Sequence, residues 1–453
     1  MTNSWVKRLE EQFGSDVIKW QPSLLKKMSR DSFWYSPVLK EKLSSHYAEC
    51  VARPRGEMEL RGLLSFAAKE RIPISTRGGG TGNYGQIVPL NGGIMIDTTK
   101  LNSILEIKEG TGRFQAGVKM GQLERKLAGT GQELRFFPST YQQSTLAGFI
   151  AGGTGGIGSI NYGTLWDEGN VLELTVLTME EQPKRLTING EELKRYIHNY
   201  GLSGIMVEVV LSLASKREWE NLCFQFNTDR QAYIFAEIAA LDSDIHKRLI
   251  SVCEAGLAQV FSPLKEIIEP GKATVFVMAA PDSCKLLTEL ADELGGDDIE
   301  AFGAFLYKKK QNLSHFTWNH VTLWWLKDHP GDTYLQARFS PDRYLRQIEL
   351  LKKQFPGELL VHLEWIKAGG IIVPTSQTVI RYQNERRLHE IMDAFEEAGV
   401  RVSNPHTYVL EEGGKDDWVE MILEAKREND PYHLLNPGKT NRMRAGTTAG
   451  KEE

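Results

Sequence analysis

Two glycine-dense runs constrain this chain more than any other feature: RGGGTG at Arg77 to Gly82, and TLAGFIAGGTGGIGSINYG at Thr145 to Gly163, which alone holds seven glycines. Glycine is costly to order and gives no side chain to a core, so such runs mark positive φ or the close approach of another group to the backbone. Tight barrel corners or a loop-rich surface are the plain alternative. Two runs in one chain suggest a large anionic ligand held by main-chain groups.

The second run contains a G-x-G-x-x-G at Gly153, Gly155 and Gly158, with Glu180 about twenty residues on,. A dinucleotide fingerprint must open a helix whose N-terminus receives the pyrophosphate. The sequel SINYGTLWDEGN has no helical apolar period, and no helix is expected there. No Lys-Ser or Lys-Thr follows either run, which excludes a P-loop. The first run has a different setting. Pro54 to Arg71 reads as a helix with Leu60, Leu63, Leu64, Ala67 and Ala68 on one face, Ile72 to Thr76 as a strand, and Gly93 to Asp97 as another,. Between such elements, successive backbone N–H groups form an anion-binding nest, to which Arg77 can add charge or beside which it is simply a loop arginine.

The ordered pieces VARPRGEMELRGLLSFAAKERIPISTRGGGTGN, IDTTKLNSILEI, FQAGVKMGQLERKLAGTGQELRFFPST, STLAGFIAGGTGGIGSINYGTLWDEGNVLELTVL and GLSGIMVEVVLSL together resemble the FAD-binding domain of the vanillyl-alcohol oxidase and p-cresol methylhydroxylase type, that of the FAD-linked oxidase family. The resemblance covers about residues 50 to 213. DPYHLLNPGKT, Asp430 to Thr440 with Asn436 inside it, is similar to the family's closing segment. The resemblance implies FAD, its pyrophosphate wrapped by Gly78, Gly79, Gly80, Thr81, Gly82 and Asn83, with Arg77 beside them. It places the ribityl chain and flavin ring along Pro138, Ser139, Ser144, Thr145, Gly148, Gly152, Gly153, Ser159 and Tyr162, and the adenosine half against Gly204, Ile205 and Val207. Members that bond the flavin covalently use a histidine where Thr81 stands here, or a cysteine in the second segment, where none of the four cysteines lies. The implied FAD is therefore non-covalent.

A chain of 453 residues with 41% hydrophobic content allows two or three domains,. The implied fold is α+β: an N-terminal helical arm at 1–50, a two-part FAD-binding domain at 51–213, a substrate cap at 214–410, and a return to the FAD domain with a tail at 411–453. In the cap, ATVFVMAA, HVTLWWL, TYLQARF and ELLVHLEWI read as strands. PDSCKLLTELADEL, PDRYLRQIELLKKQF and NERRLHEIMDAFEEAGV read as helices, together an antiparallel sheet backed by helices,. Phe33, Trp34 and Tyr35 in the arm read as core packing or docking.

Scattered cysteines without CxxC argue against a disulfide framework or a metal centre,. The charged N-terminus and the lack of an apolar run of about twenty residues point to a soluble, cytoplasmic protein without a transmembrane segment. A net charge of −5, with only short basic stretches such as Lys308 to Lys310, argues against nucleic acid,.

A flavin enzyme of this type needs a base and substrate clamps from its cap. His406 in SNPHTY resembles the histidine-bearing segment of the aldonolactone and alditol oxidases, although Thr407 and Tyr408 replace the residues that follow it there; a hydrogen-bonded loop histidine is the other reading. His362 and Glu364 alternate on an apolar strand and share one face, either solvated or paired and functional, with Val361 and Trp365 facing the helices. His320, with Trp318 and Asn319, suits a pocket floor or a satisfied core position. Arg381 suits a carboxylate clamp or an interdomain ion pair. The expected activity is hydride removal from a small alcohol, polyol, sugar lactone or hydroxy acid, with oxygen, a quinone or a protein as acceptor. The H-x-G-D-G-N-x-H motif of the 2-hydroxy-acid branch is absent, which ranks a 2-hydroxy-acid dehydrogenase second; a flavin-binding regulatory protein without turnover is the alternative from another class.

Overall fold

The computed structural model describes residues 3–414 and 416–443, without the side chains of 416 and 417. The helix Glu57–Glu70 buries Leu60, Leu63, Leu64, Ala67 and Ala68 and ends on Arg71 in the left-handed conformation. It connects Cys50–Ala52 to Ile74–Arg77, and both strands lie parallel to Ile94–Asp97 between them. Helices Ser4–Phe13, Pro22–Met28 and Pro37–Leu43 form the arm, whose Ile18–Lys19 strand extends this small sheet. Phe33 and Tyr35 are buried, whereas Trp34 is exposed, so core packing accounts for two of the three aromatics.

The second sheet is antiparallel and six-stranded, with the long strand Ile205–Ser215 paired to Thr111–Gln115, Gln132–Leu134 and Val171–Leu177. The second glycine run lies between Gln132–Leu134 and Val171–Leu177, two strands of this sheet. It contains two short helices, Leu146–Gly152 and Ser159–Tyr162. The latter corrects the expectation that no helix follows the G-x-G-x-x-G. It is a single turn, too short to carry a dipole, and its entry at Gly158 (φ 103°) is fixed by the Gly158 N–H donating to the Arg248 carbonyl at 2.9 Å,.

Beyond Ser215 an antiparallel sheet of nine strands forms the cap. Helices Asp229–Leu241, Cys284–Glu293, Tyr344–Gln354 and Glu385–Glu397 cover one face, on which Val361, Leu363 and Trp365 are buried among them. The other face looks toward the glycine segments. One cap strand is overturned: HVTLWWL lies in the helix Asn319–Asp328, which buries Val321, Thr322, Trp325 and Leu326. Its β-branched and aromatic residues favour a strand locally, but the burial recurs with helical spacing and packing against the sheet decides. Lys308 and Lys309 end the helix Phe302–Lys309 and, with Lys310, are exposed.

Candidate active site

The first glycine loop leaves the end of the strand Ile74–Arg77 and is pressed against the second glycine segment. A Cβ on Gly78 would stand 1.9 Å from Thr145 Oγ1, and one on Gly79 would stand 2.3 Å from the Gln143 carbonyl oxygen. Thr81 Oγ1 and Ser144 Oγ, 2.8 Å apart, join the segments again. None of the hydrogen bonds among the described residues is donated by the amides of Gly79, Gly80, Thr81, Gly82 or Asn83. Buried backbone donors are normally paired, so this run of free N–H groups is a cradle for an external acceptor. Arg77 does not add its guanidinium to that cradle. Its N–H groups donate to the carbonyls of Met28, Arg30 and Gly79, and burial pulls its pKa down. It ties the N-terminal arm to the loop.

The two segments wall a cavity of about 560 Å³, closed on the opposite side by the inner face of the cap sheet. Of the residues expected to hold the cofactor, Arg77 to Asn83, Pro138, Ser139, Ser144, Thr145, Gly148, Gly152, Gly153, Gly204 and Ile205 line it. Four do not. Val207 is in the core beneath the small sheet, and Ser159 Oγ is occupied by the Gly156 N–H at 2.9 Å. The ring of Tyr162 lies under Arg135, and the Asn436 amide donates to the carbonyls of Gln86 and Tyr200. Asn436 thereby fastens the closing segment, whose Leu435 pairs with Ile74 at the root of the glycine loop. Among the described residues the lining contains one carboxylate, Asp167, and four cations, of which Arg77 is spent on carbonyls and Lys194 on Glu191. The unpaired amides fit a pyrophosphate-bearing cofactor such as FAD.

None of the expected catalytic side chains lines this cavity. His406 is buried with both ring nitrogens engaged, Nδ1 by Ser36 Oγ at 2.8 Å and Nε2 by the Tyr334 carbonyl at 2.9 Å. Burial drives its pKa down to about 3. It joins the arm to the cap, and the loop reading describes it. Because the folded pKa lies below the unfolded value of about 6.5, its stabilisation is present above pH 6.5 and is lost as pH falls toward 3. His406→Ala is therefore expected to flatten the acid limb of the stability curve, by up to about 1.4 kcal/mol per pH unit in that window, while leaving flavin reduction rates within about twofold. Denaturant titrations at pH 7 and pH 5 and stopped-flow reduction measure both; a reduction rate lowered a hundredfold would return His406 to the mechanism.

His362 and Glu364 do share the sheet face toward the cavity, as their alternation requires, and both are buried. His362 Nε2 lies 3.1 Å from both Ser251 Oγ and Glu364 Oε1, and Glu364 Oε1 accepts the Trp318 N–H at 2.7 Å. Trp318 and Asn319, which do line the cavity, stand between this pair and the cofactor side. Trp318 has φ 54°, a strained conformation for a bulky residue, and the Glu364 bond holds it there,. His320, its pKa lowered to about 4 by burial, sits beside them outside the lining. Arg381 is spent on Asp332 at 3.5 Å and on the face of Trp325; it is an ion pair, but one within the cap, neither a clamp nor an interdomain contact.

Besides Trp318 and Asn319, the polar residues that reach the cavity from the cap include Gln336, Arg338, Thr375, Gln377, Arg401 and Ser403, which sequence reasoning passed over. The signal was present: Gln336 and Arg338 alternate in TYLQARF as His362 and Glu364 do in LLVHLEWIK. Tyr84, at the end of the first glycine loop, donates its hydroxyl to Gln336 and links the two walls.

Comparisons with known proteins agree with this geometry. A family model described as an FAD binding domain matches residues 48–187. The chain is 29% identical over 201 residues to the glycolate oxidase subunit GlcD of Bacillus subtilis (strain 168), covering 42% of this chain and 43% of that protein. It is 32% identical over 130 residues to a D-lactate dehydrogenase of Archaeoglobus fulgidus, covering 28% and 29%. The chain thus spans less than half the length of these curated relatives. A solved alkyldihydroxyacetonephosphate synthase superposes over 97% of this chain and 85% of its own with a TM-score of 0.74 at 16% identity, a likeness of fold. A glycine cradle with free amides, a partner segment locked to it and the matching domain model converge: residues 48–187 form an FAD-binding domain similar to that of the FAD-linked oxidases, and the cofactor is FAD.

Proposed function

We propose that the protein is an FAD-dependent oxidoreductase that takes a hydride from the CH–OH group of a small donor, with reoxidation by oxygen or an external quinone or protein acceptor. One observation carries this reading: a single cavity has the cofactor cradle as one wall and a polar face of the cap sheet as the other. A donor resting on the cap face is thereby brought against the cofactor. FAD, when bound, supplies the two-electron acceptor for the hydride. The chain's own residues do the positioning. The amides of Gly79 to Asn83 hold the anionic part of the cofactor, and Trp318 and Asn319 fill the cap side and exclude water. The link from Tyr84 to Gln336 sets the spacing between the walls. The names of the two relatives, a glycolate oxidase subunit and a D-lactate dehydrogenase, support donors of the CH–OH class.

Anaerobic titration of the purified holoprotein with alcohols, polyols, lactones and hydroxy acids tests the reading. Bleaching of the flavin band by at least one donor is the expected result. A panel that leaves the band intact would favour a flavin-binding regulatory protein. Acid precipitation is expected to leave a colourless pellet and a yellow supernatant, because Thr81 and no cysteine lines the cavity; a yellow pellet would contradict non-covalent binding.

A further inference from the structure

Residues paired directly across antiparallel strands share a sheet face. Pairing of the strand Thr333–Arg338 with its two neighbours therefore builds two rungs over the cavity. Ser403, Gln336 and Gln377 form one; Arg401, Arg338 and Thr375 form the next, about 7 Å along the strands,. Both rungs belong to the cavity lining.

Two groups on these rungs lack what they need. The Arg338 guanidinium, partly buried, has no hydrogen-bond or ion-pair partner among the described residues. Arg401 lies directly opposite; burial and then its charge depress the Arg338 pKa, and Asp167, which makes no ion-pair contact with Arg338, offsets them only in part. Asp167, the one carboxylate among the described lining residues, has its hydrogen bonds elsewhere. It accepts from the N–H and hydroxyl of Thr164, both at 2.8 Å, and from the Gly369 N–H at 3.0 Å. On the neighbouring rung Gln377 is 9% exposed, and its Oε1 has no donor. Its partner across the strands, Gln336, is satisfied by Tyr84. A confined cation with no carboxylate in ion-pair contact and a buried acceptor without a donor are both costly. One ligand relieves both: an anionic head on Arg338 and an O–H or N–H within reach of Gln377.

We propose that these two rungs are the donor subsite, and that the donor is an organic anion whose carboxylate or phosphate seats on Arg338 while a hydroxyl elsewhere on it donates to Gln377. The planar fork of Arg338 sets the orientation. The inference rests on the reading of the cavity as an oxidoreductase site, and it narrows that site from CH–OH donors in general to charged ones.

Binding to the oxidised holoprotein tests it without turnover. Malonate, tartronate and glycerol 3-phosphate, with neutral malonamide and glycerol, are titrated against the flavin difference spectrum and by calorimetry. At least one anion is expected to bind while the neutral compounds do not, and affinity is expected to fall with added salt. Arg338→Gln should weaken the anion roughly 10- to 100-fold at unchanged FAD content, with partial rescue by Arg338→Lys. Gln377→Leu should weaken tartronate more than malonate. Preference for the carboxylates or for the phosphate ester identifies the head group. Equal binding of neutral analogues, an unchanged Kd in Arg338→Gln, or no anion binding below 10 mM, a level about 2.7 kcal/mol weaker than a 0.1 mM complex, would overturn the proposal. Failure of the oxidoreductase reading would appear separately, as anion binding without bleaching by any donor.

Discussion

Gly79→Ala is expected to give a folded protein purified with under about a tenth of the wild-type flavin, and an apoprotein that binds added FAD about 100-fold more weakly, about 2.7 kcal/mol. The cause is steric. A Cβ there stands 2.3 Å from the Gln143 carbonyl oxygen, a main-chain atom in the segment that walls the other side of the cradle. Relief requires the two glycine segments to part, which displaces the free amides of Gly79 to Asn83 from a common centre,. Fluorescence titration of the apoprotein with FAD measures the effect. Gly56→Ala serves as the control, because a Cβ at Gly56 meets nothing within 4 Å and Gly56 lies outside the lining. Wild-type affinity in Gly79→Ala would remove the close contact of the two segments from the account of cofactor binding.

Asp430→Ala should be the most damaging change outside the cavity. Lys426 and Asp430 are both buried, with Nζ donating to Oδ2 at 2.6 Å and to the Leu435 carbonyl at 2.8 Å. The carboxylate also accepts the N–H groups of Leu434 and Leu435, at 2.9 and 2.8 Å. Those two residues deliver the closing segment to the glycine strand: Ile74 donates to the Leu434 carbonyl, and Asn436 donates back to Ile74. Removing the carboxylate leaves a buried ammonium and two unpaired amides, a loss of about 3–5 kcal/mol. Denaturant unfolding of the holoprotein should show it, with flavin release moving to lower denaturant in parallel. Lys426→Met combined with Asp430→Leu should recover part of the loss, because it removes both charges together. If Asp430→Ala unfolded at the wild-type midpoint, the pair would not be what secures the return.

The cofactor half of the molecule was legible in the sequence for a local reason. A backbone cradle is written in glycines, and Gly78 to Gly82 and Gly148 to Gly153 carry their meaning in the order of the elements around them. Even there, side chains misled. Arg77 reads as a charge beside the phosphates, yet its guanidinium caps carbonyls of an arm some fifty residues earlier, and Val207 and Asn436 support the site from behind. Helix propensity and periodicity placed all but one of the cap elements they singled out, but HVTLWWL carries strand-forming residues on a helix set by packing, and strands such as Ile371–Ile380 and Arg401–Ser403 went unnamed.

The cap side of the cavity belongs to tertiary structure. Composition drew attention to the histidines, since an imidazole titrates near neutrality. The fold buries His406 behind the Tyr334 carbonyl and His362 behind Trp318, and turns Arg338 and Gln377 inward instead. Period two says that Gln336 and Arg338 share a face; only the register with Gln377, Thr375, Arg401 and Ser403 says which neighbours they meet. The sequence by itself determined an FAD cradle and an α+β cap, because glycine spacing and hydrophobic period act within a few residues. Which side chains face the cavity was decided by pairing of Thr333–Arg338 with strands about 40 and about 65 residues further along the chain, a non-local contact that no local pattern encodes,.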